Sequence, residues 1–425
     1  MIDAILYPVR KLIPTRVLNF FRPAYHLSMS FLGALWYGFP SRKMTVVAVT
    51  GTKGKTSVTE IVNAILEQSG IKTALSNTIR FKVGDESTDN MYKMSMPGRF
   101  FVQRFLAKAK KAGCTHVILE ATSQGAVLGR HRFISFDALI FTNIAPEHIE
   151  AHGSFENYVN AKLMIADAVA KSKKPRRIIV ANGDDPQAMK FLGKNFTDRR
   201  AYTLDDAKPY NIFREGFDMT VRHKLIKSPL SGEFNIYNEL AAITFAETQG
   251  IGIEICKMAL EKFTGIRGRV ERIEAGQDFD VIVDYAHTPD SLQKLYDVFQ
   301  RSRRICVLGN TGGGRDTWKR DEMAQIAARE CDEIILTNED PYDDDPRQII
   351  DDMAEAIPQA SPRIIMDRRE AIAHAVTSAK TGDAVLITGK GTDPYIMGAN
   401  NSKIPWSDAV VAKEELEKLL AKKAI

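Results

Sequence analysis

The chain has 425 residues, of which 44% are hydrophobic, 26% charged and 8% aromatic. This composition excludes a disordered or fibrous chain, and the length predicts two to three globular domains with buried cores. The net charge of +5 equals the excess of basic over acidic side chains within residues 1–43 alone. Because the rest of the chain is balanced, the charge gives no support for a nucleic-acid partner.

The number and spacing of the cysteines indicate whether the protein works in a reducing or an oxidising compartment. The four cysteines are widely spaced and form no C-x-x-C pair: Cys114, Cys256, Cys306 and Cys331. A chain of this length does not need disulfides for its stability, so we expect a reducing cytoplasm. Prolines and basic residues interrupt the apolar run that a secretory signal would need at the N-terminus.

The N-terminal segment, residues 1–43, combines basic and apolar side chains. Its most apolar part, residues 24–39, is too short for a membrane span and includes His26. Two interpretations stay open. The segment makes peripheral contact with a membrane surface, basic groups toward the lipid headgroups. Alternatively, it forms one or two helices that pack against the following domain.

From Met44 onward, strand and helix patterns alternate. The run TVVAVT (45–50) predicts a buried strand, which a glycine-containing loop joins to a helix that ends at Gly70. Further apolar runs predict buried strands at 115–120, 138–143, 177–182, 281–286, 304–310, 333–338 and 384–389. Most are separated by spacers of helix length, which indicates a mainly parallel sheet and an α/β fold.

Two features divide the chain further. Residues 216–239 predict an antiparallel edge that leads into a helix beginning near Asn235. A new series of strands follows residues 265–270. We therefore predict an N-terminal helical segment at 1–43, a central P-loop ATPase domain at 44–266 and a Rossmann-like α/β domain at 267–425.

The loop after the first strand has the composition of a phosphate-binding loop. Glycines between a strand and a helix N-terminus let backbone N–H groups approach phosphate oxygens. The loop has the short form G-x-x-G-K-[ST], with Val49 in place of the first glycine of the longer pattern. In this context Lys55 would reach the β- and γ-phosphates, and Thr56 would offer its hydroxyl to Mg²⁺. ATP binding is thus predicted for Gly51, Thr52, Lys53, Gly54, Lys55, Thr56 and Ser57.

An ordered set of segments follows this loop at fitting distances: LEATSQG (119–125), FTNIAPEHIEAHGSFENYVNAK (141–162), GEFNIYNELAA (232–242), GRVE (268–271), VDYAHTPDSL (283–292), GGGRD (312–316) and GKGTD (389–393). Over residues 44–425 the set resembles the Mur ligase family, and within it the branch that adds a diamino acid to a UDP-N-acetylmuramoyl dipeptide. The resemblance implies an ATP-dependent ligase in peptidoglycan precursor synthesis, with ATP and Mg²⁺ as cofactors and a muramoyl peptide and an amino acid as substrates.

The resemblance also implies roles for individual residues. Catalysis would rest on Lys55, Lys162 and His148, because the acyl phosphate and tetrahedral intermediate of this reaction develop negative charge. Thr56 and Glu120 match ligands of a first Mg²⁺, and His148 and a carbamylated Lys162 match those of a second. From the residues alone, Glu120 as a helix cap, His148 as a surface side chain and Lys162 as a solvated lysine stay open.

The remaining predicted contacts involve the nucleotide and the amino acid. Asn235, Asn238, Arg269 and Asp284 match nucleotide-binding positions, although Asn235 would also serve as a helix cap. The matched amino-acid pocket comprises Arg315, Asp340, Tyr342, Gly389 and Asp393. Tyr342 stands where relatives that use diaminopimelate have an arginine, and a tyrosine cannot form that bidentate ion pair. Asp340 instead favours a substrate with a side-chain ammonium, such as L-lysine, whereas Arg347 is a candidate partner for a carboxylate.

The region before the phosphate loop also differs from the pattern of the Mur ligase family. Relatives place a complete UDP-binding domain there, whereas only about 43 residues precede the loop in this sequence. The acceptor's carrier therefore stays open between UDP and a lipid. We expect a cytoplasmic monomer, and peripheral membrane contact through residues 1–43 stays open as one of the two interpretations of that segment. Alternatives are a related ligase of the folylpolyglutamate or cyanophycin type, or a non-catalytic nucleotide-binding scaffold.

Overall fold

A computed structural model of the protein describes residues 15–98, 100–147, 149–314 and 317–423. The described chain forms two compact units that are interleaved in sequence. The first comprises the chain up to Ile144, Glu156–Thr203 and Ala241–Ile251. The second comprises Ala145–Phe155, Leu204–Leu240 and the chain from Gly252 onward.

An eight-stranded sheet forms the centre of the first unit. Its strands are β1 (Thr45–Thr50), β2 (Thr73–Ser76), β3 (Arg80–Val83), β4 (Glu86–Asp89), β5 (His116–Glu120), β6 (Ala138–Phe141), β7 (Ile178–Asn182) and β8 (Asp198–Tyr202). Their order is β4-β3-β2-β5-β1-β6-β7-β8. All neighbours pair in parallel except β2 with β3 and β3 with β4. Val49 lies opposite Glu120 and Thr50 opposite Phe141, so the carboxyl ends of β1, β5 and β6 lie side by side.

Helices connect these strands, as the spacers predicted. In chain order they are α1 (Thr15–Trp36), α2 (Lys55–Gln68), α3 (Phe101–Lys111), α4 (Ser123–Val127), α5 (Ile149–His152), α6 (Phe155–Ala170) and α7 (Ala188–Leu192). Helix α2 shows the physical basis of the pattern. Its apolar residues recur every three or four positions from Val58 to Leu66, are almost fully buried, and face β1, β2 and β5.

The second unit contains a three-stranded sheet, a six-stranded sheet and a hairpin. The strands are β9 (Tyr210–Phe213), β10 (Gly216–Val221), β11 (Lys224–Ser228), β12 (Glu271–Arg272), β13 (Asp280–Val283), β14 (Arg304–Leu308), β15 (Glu333–Leu336), β16 (Arg363–Ile364), β17 (Ala384–Ile387), β18 (Tyr395–Gly398) and β19 (Ser402–Pro405). The six-stranded sheet has the order β12-β13-β17-β14-β15-β16, in which only the edge strand β12 is antiparallel. The hairpin is β18-β19.

Apolar residues cover both faces of the six-stranded sheet. The helices from Glu233 onward are α8 (Glu233–Thr248), α9 (Ile253–Glu261), α10 (Pro289–Val298), α11 (Lys319–Glu330), α12 (Pro346–Glu355), α13 (Arg368–Ser378) and α14 (Asp408–Lys423). On one face, Cys306 and Leu308 of β14 pack with α10, α11 and α12. On the other, Ile305 and Val307 pack with α13 and α14. This arrangement buries both faces of a parallel sheet and confirms the predicted α/β class.

The structure corrects the expectation for the cysteines. Cys306 and Cys331 form a disulfide, with their Cα atoms 6.1 Å apart, whereas Cys114 and Cys256 are buried thiols. The sequence conceals this proximity, because the two cysteines are 25 residues apart. The parallel crossover β14-α11-β15 returns the chain to the amino end of the sheet, where Ile305 lies opposite Glu333.

Residues 216–239 also differ in part from expectation. The antiparallel strands are present, but β10 pairs with β9 and β11 in a separate sheet and does not extend a larger one. The following helix begins at Glu233, so Asn235 lies in its first turn and not at its N-cap. The side-chain amide of Asn235 donates to the Ser231 carbonyl at 2.8 Å.

The N-terminal segment forms a single helix in its described part, α1, followed by a short turn at Pro40–Lys43. Residues 1–14 lie outside the described residues. Within the described part of the chain, no helix combines the length and hydrophobicity that a membrane span requires.

Candidate active site

The predicted phosphate loop connects β1 to α2. A Cβ atom on Gly51 would lie 1.9 Å from Thr142 Oγ1, so only glycine fits this position. Gly54 is the N-cap of α2 and has a φ of 81°, a left-handed conformation that favours glycine. The loop therefore presents backbone N–H groups at a helix N-terminus, which is the arrangement that binds phosphate.

The backbone of the loop is held by two side chains that directly follow β6. Thr142 donates to the Lys53 carbonyl at 2.6 Å, and the Lys53 N–H donates to Asn143 Oδ1 at 2.9 Å. Lys55 lies across the loop, where its Nζ donates to the carbonyls of Gly51 at 3.0 Å and Thr52 at 2.8 Å. The ammonium is thus held beside the backbone that would surround the phosphates.

Thr56 and Glu120 are in direct contact. Thr56 Oγ1 donates to Glu120 Oε2 at 2.8 Å, and both side chains are buried. The carboxylate also accepts from the backbone and hydroxyl of Thr78 and from the Ser95 hydroxyl. Glu120 therefore lies at the end of β5 as an oxygen ligand candidate, and its side chain does not cap a helix in this structure.

Lys162 lies on α6 and reaches the same loop. Its Nζ donates to the Gly51 carbonyl at 2.6 Å and lies 4.6 Å from the centre of the Tyr158 ring. The residue is only 2% exposed, so the alternative of a solvated helix lysine is wrong. Tyr158 in turn hydrogen-bonds with Thr52 of the loop at 3.1 Å.

The predicted nucleotide-binding residues belong to the second unit. Asn238 donates to the side-chain oxygen of Asn235 at 2.8 Å on the first turns of α8. Arg269 stacks over the Tyr285 ring, and the neighbouring Asp284 accepts from the N–H groups of Val270 at 2.7 Å and Ala286 at 2.6 Å. The sequence strings GRVE and VDYAHTP thus form one local cluster.

The described residues predicted for the amino-acid pocket lie at the carboxyl edge of the six-stranded sheet. Asp340 follows β15, Gly389 and Asp393 follow β17, and Tyr342 adopts a φ of 53°. Asp340 accepts from the Lys390 ammonium at 2.7 Å and from the Met397 N–H at 2.8 Å. Asp340 is therefore committed to an internal ion pair, because Lys390 is fully buried and needs a counter-charge.

Glu339 was missed by sequence reasoning, although it precedes Asp340 directly. It is 3% exposed, and its Oε2 has no hydrogen-bond partner within the described structure. A Cβ on Gly389, which has a φ of 101°, would lie 2.3 Å from that oxygen. Burial and the nearby Asp340 raise the pKa of Glu339, against the opposing effect of Arg368, Lys390 and Lys319.

Two predicted residues, His148 and Arg315, lie outside the described residues. His148 is flanked by Glu147, whose Oε1 lies 3.3 Å from His287 Nε2. Among the described side chains, no group of three or more His, Cys, Asp and Glu could hold a metal ion. The hydroxyl of Thr56 and the carboxylate of Glu120 are hard oxygen donors that fit Mg²⁺, which usually keeps waters and substrate phosphates as its other ligands.

Most of the chain matches two known protein domains. The Mur ligase middle domain matches residues 49–246, and the Mur ligase glutamate ligase domain matches residues 268–391. The UDP-N-acetylmuramoyl-L-alanyl-D-glutamate--2,6-diaminopimelate ligase of Syntrophomonas wolfei is 36% identical over 93% of this chain and 82% of its own length. The chain belongs to the Mur ligase family. Members of this family are ATP-dependent ligases that form amide bonds in peptidoglycan precursor synthesis.

One further relative and two solved structures are similar to this chain over most of its length. The UDP-N-acetylmuramyl-tripeptide synthetase of a Roseiflexus species is 36% identical over 93% of this Mur ligase chain and 83% of its own. A solved diaminopimelate ligase superposes with a TM-score of 0.60 at 27% identity, covering 88% of this chain and 78% of that one. The Mycobacterium tuberculosis folylpolyglutamate synthase bound to ADP has a TM-score of 0.69 at 17% identity, over 87% and 93% of the two chains, which indicates a shared fold.

Proposed function

We propose that this Mur ligase joins a basic amino acid to the carboxyl group of a muramoyl-peptide acceptor. The acceptor carboxylate attacks the γ-phosphorus of ATP, and ADP leaves. The amine of the incoming amino acid then attacks the acyl carbon of the acyl phosphate, loses a proton, and phosphate leaves. The observation that carries the proposal is that the half-buried Lys55 and the buried Thr56, Glu120 and Lys162 lie around one phosphate loop.

The first unit supplies the groups that stabilise negative charge in this reaction. We assign the loop from Gly51 to Ser57 to the phosphates, with Lys55 turning from the loop carbonyls toward the transferred phosphoryl group. Thr56 and Glu120 would hold one Mg²⁺, which neutralises charge on the phosphate oxygens. His148 and Lys162 would serve a second.

The burial of Lys162 supports its carbamylation. A protonated lysine beside two divalent cations would be repelled, whereas a carbamate on the same nitrogen is an anion that binds them. The nitrogen lies in a closed environment between the loop and the Tyr158 ring. We expect Lys162→Ala to lose phosphate release and to regain part of it with added formate or acetate. The matched control Lys190→Ala, at an exposed helix position, should behave as the unaltered enzyme.

The second unit would hold the rest of the nucleotide and the amino acid. We assign Asn235, Asn238, Arg269 and Asp284 to the adenosine portion. The matched family ranges 49–246 and 268–391 support the division into functional domains at 44–266 and 267–425.

For the amino acid, we propose Glu339 in place of Asp340 as the ligand of the side-chain ammonium. Asp340 is paired with Lys390, whereas Glu339 has a buried oxygen with no hydrogen-bond partner among the described residues. A side-chain ammonium would supply that partner, which favours L-lysine or another basic diamino acid. Arg315, Tyr342, Gly389 and Asp393 would form the remaining pocket. Arg347, the candidate partner for a second carboxylate of the substrate, is paired with Asp351 on α12. A basic amino acid without that second carboxylate does not require such a partner.

The other proposed properties concern the acceptor and the location. We propose a cytoplasmic monomer that contacts a membrane through residues 1–43 and takes its acceptor on a UDP or a lipid carrier.

The alternative of a non-catalytic nucleotide-binding scaffold is disfavoured. The buried charges around the loop lower the stability of the fold, and a role in binding or catalysis explains why they are present.

Phosphate release tests the proposal. Purified protein with ATP and Mg²⁺ should release phosphate only when both a muramoyl dipeptide and a basic amino acid are present. Lys55→Ala should lower the rate by about 10²-fold or more, since one charge-stabilising group typically contributes that much. Release that needs neither substrate, or that survives Lys55→Ala unchanged, would contradict the proposed ligase. Release with a folate and glutamate in place of the muramoyl substrates would identify the related ligase.

A further inference from the structure

Helix α1 exposes large apolar side chains over about half of its circumference. Those described are between 43% and 80% exposed: Phe21, Tyr25, Leu27, Phe31, Leu32, Leu35 and Trp36. The positions Ala24 and Ser28 complete the same face and carry no charge. An exposed apolar face of this extent indicates contact with another apolar surface.

The opposite face of α1 is the one that packs against the protein. Among its described side chains, the small residues Ser30, Gly33 and Ala34 are buried, and His26 and Met29 are partly buried. A Cβ on Gly33 would lie 3.0 Å from Phe100, so the helix approaches the start of α3 closely. This distribution is the reverse of an ordinary amphipathic helix, whose large apolar residues face the core.

A cavity of about 390 Å³ lies in the same unit, next to the turn that follows α1. Basic residues from three segments line it: Arg42, Arg132, Lys171 and Lys173. The one acidic lining residue, Asp167, is paired with Lys194 at 2.9 Å. The cavity is therefore strongly cationic and suits an anionic group such as a phosphate.

The apolar face and the cavity are continuous. The Phe31 ring of α1 contacts the Phe133 ring at a centroid distance of 5.2 Å, and Phe133 lines the cavity. On another side of the cavity, the Arg42 guanidinium stacks over the Phe39 ring. Aromatic and aliphatic side chains next to basic groups are typical of a surface that meets lipid at the headgroup level.

We propose that the exposed face of α1 and the cationic cavity form one docking surface for an anionic lipid bilayer. The apolar face, Phe21 to Trp36, inserts among the acyl chains near the headgroups, while the cavity receives the phosphate of a lipid headgroup. Charge complementarity identifies this occupant, because four basic residues around the cavity match an anionic membrane surface. Docking is independent of amide-bond formation, so either can fail without the other.

Vesicle flotation of the full-length protein tests the docking surface. The protein should float with vesicles of phosphatidylcholine mixed with phosphatidylglycerol, and at least about tenfold less with phosphatidylcholine alone. The variant Leu32→Gln/Leu35→Gln/Trp36→Gln should lose flotation on both. Its control, Met189→Gln/Ile212→Gln/Val410→Gln, changes equally exposed apolar residues elsewhere and should float as the unaltered protein does.

The cavity is tested by charge. Lys171→Gln/Lys173→Gln should lower binding to anionic vesicles about thirtyfold, because each of the two basic groups near such a surface contributes about a fivefold increase in binding. The control Lys413→Gln/Lys422→Gln removes the same charge from exposed positions of α14 and should have little effect. Phosphate release in solution should be unchanged in all four variants.

Three results would overturn the proposal. Equal flotation of the triple variant and its control would exclude the apolar face, and equal loss in the two lysine pairs would reduce the cavity to a general charge effect. A stable dimer without vesicles that Leu32→Gln/Leu35→Gln/Trp36→Gln dissociates, as measured by sedimentation velocity, would assign the face to a second copy of the chain.

Discussion

Glu339 and Asp340 are adjacent acids with different surroundings. Asp340 forms an ion pair with Lys390 and accepts a hydrogen bond from the Met397 N–H. The Oε2 atom of Glu339 is buried close to Gly389 and has no hydrogen-bond partner among the described residues. The difference supports the proposed binding role of Glu339 and a structural role of Asp340, and adjacent positions in the sequence do not reveal it.

We predict that Glu339→Gln raises the KM for the basic amino acid by about tenfold or more, since a hydrogen bond to a charged group contributes about 1.5–3 kcal/mol. The KM for ATP should not change. Steady-state kinetics with each substrate varied would measure both.

Asp340→Asn serves as the contrasting variant. It leaves Lys390 buried without its counter-charge, so it should lower the urea midpoint, whereas Glu339→Gln should not. An unchanged KM for the amino acid in Glu339→Gln would contradict the assignment of the ammonium ligand.

Glu239 on α8 is fully buried and accepts a hydrogen bond from Ser228. Burial raises the pKa of Glu239 to about 8 from its ordinary value of 4.5. The folded state therefore binds a proton that the unfolded state releases above pH 4.5. Stability should fall as pH rises between about 4.5 and 8, by up to about 1.4 kcal/mol per pH unit.

We predict that Glu239→Gln removes this contribution and stabilises the protein most at pH 8. Urea denaturation at pH 5.5 and pH 8 would measure the difference. The control Glu355→Gln, at an exposed position on α12, should leave the pH dependence unchanged. The same slope in Glu239→Gln as in the unaltered protein would show that another group causes it.

At the scale of elements, the loops after parallel strands carry the candidate sites. The loop after β15 holds Glu339, and the loop after β17 holds Gly389. Arg368, at the start of α13, links them by donating to the carbonyls of Asn338 at 3.3 Å and Thr388 at 2.7 Å. Its guanidinium is paired with Asp408 through two hydrogen bonds, and both side chains are at most 1% exposed.

We predict that Asp408→Asn destabilises the protein by about 3–5 kcal/mol, because it leaves a buried arginine without its carboxylate. The double variant Arg368→Met/Asp408→Leu should cost less, since both charges are then absent. Urea denaturation would measure the two losses.

The exposed pair of Arg347 and Asp351 on α12 provides the control. Asp351→Asn should change stability by less than about 1 kcal/mol. If Asp408→Asn cost no more than Asp351→Asn, the buried pair would not hold these loops in place.

The predicted elements agree with the structure where the signal is local. Strands such as β1 and β6 are short apolar runs bounded by loop residues, so their positions follow from the pattern. The three-stranded sheet and the Cys306–Cys331 bond depend on which strands pair and where a crossover returns. Neither property is encoded in a window of neighbouring residues.

At the scale of the whole molecule, ligand binding should appear as stability. Anything that binds the folded state and not the unfolded state stabilises it, by about 2.7 kcal/mol at a hundredfold excess over Kd. We predict that ATP with Mg²⁺ raises the Tm of the unaltered protein. The shift should disappear in Lys55→Ala, whose own Tm without ligand serves as the reference. An equal shift in both proteins would place the nucleotide elsewhere.

The α/β class, the glycine-containing loop after β1 and the family could be predicted from the residue pattern, because apolar periodicity and glycine spacing involve neighbouring residues. The burial of Lys162 against Gly51, the pairing of Lys390 with Asp340 and the exposure of the large apolar residues of α1 could not be predicted in this way. These properties depend on groups far apart in the chain. Burial and charge pairing are set by what the fold brings together.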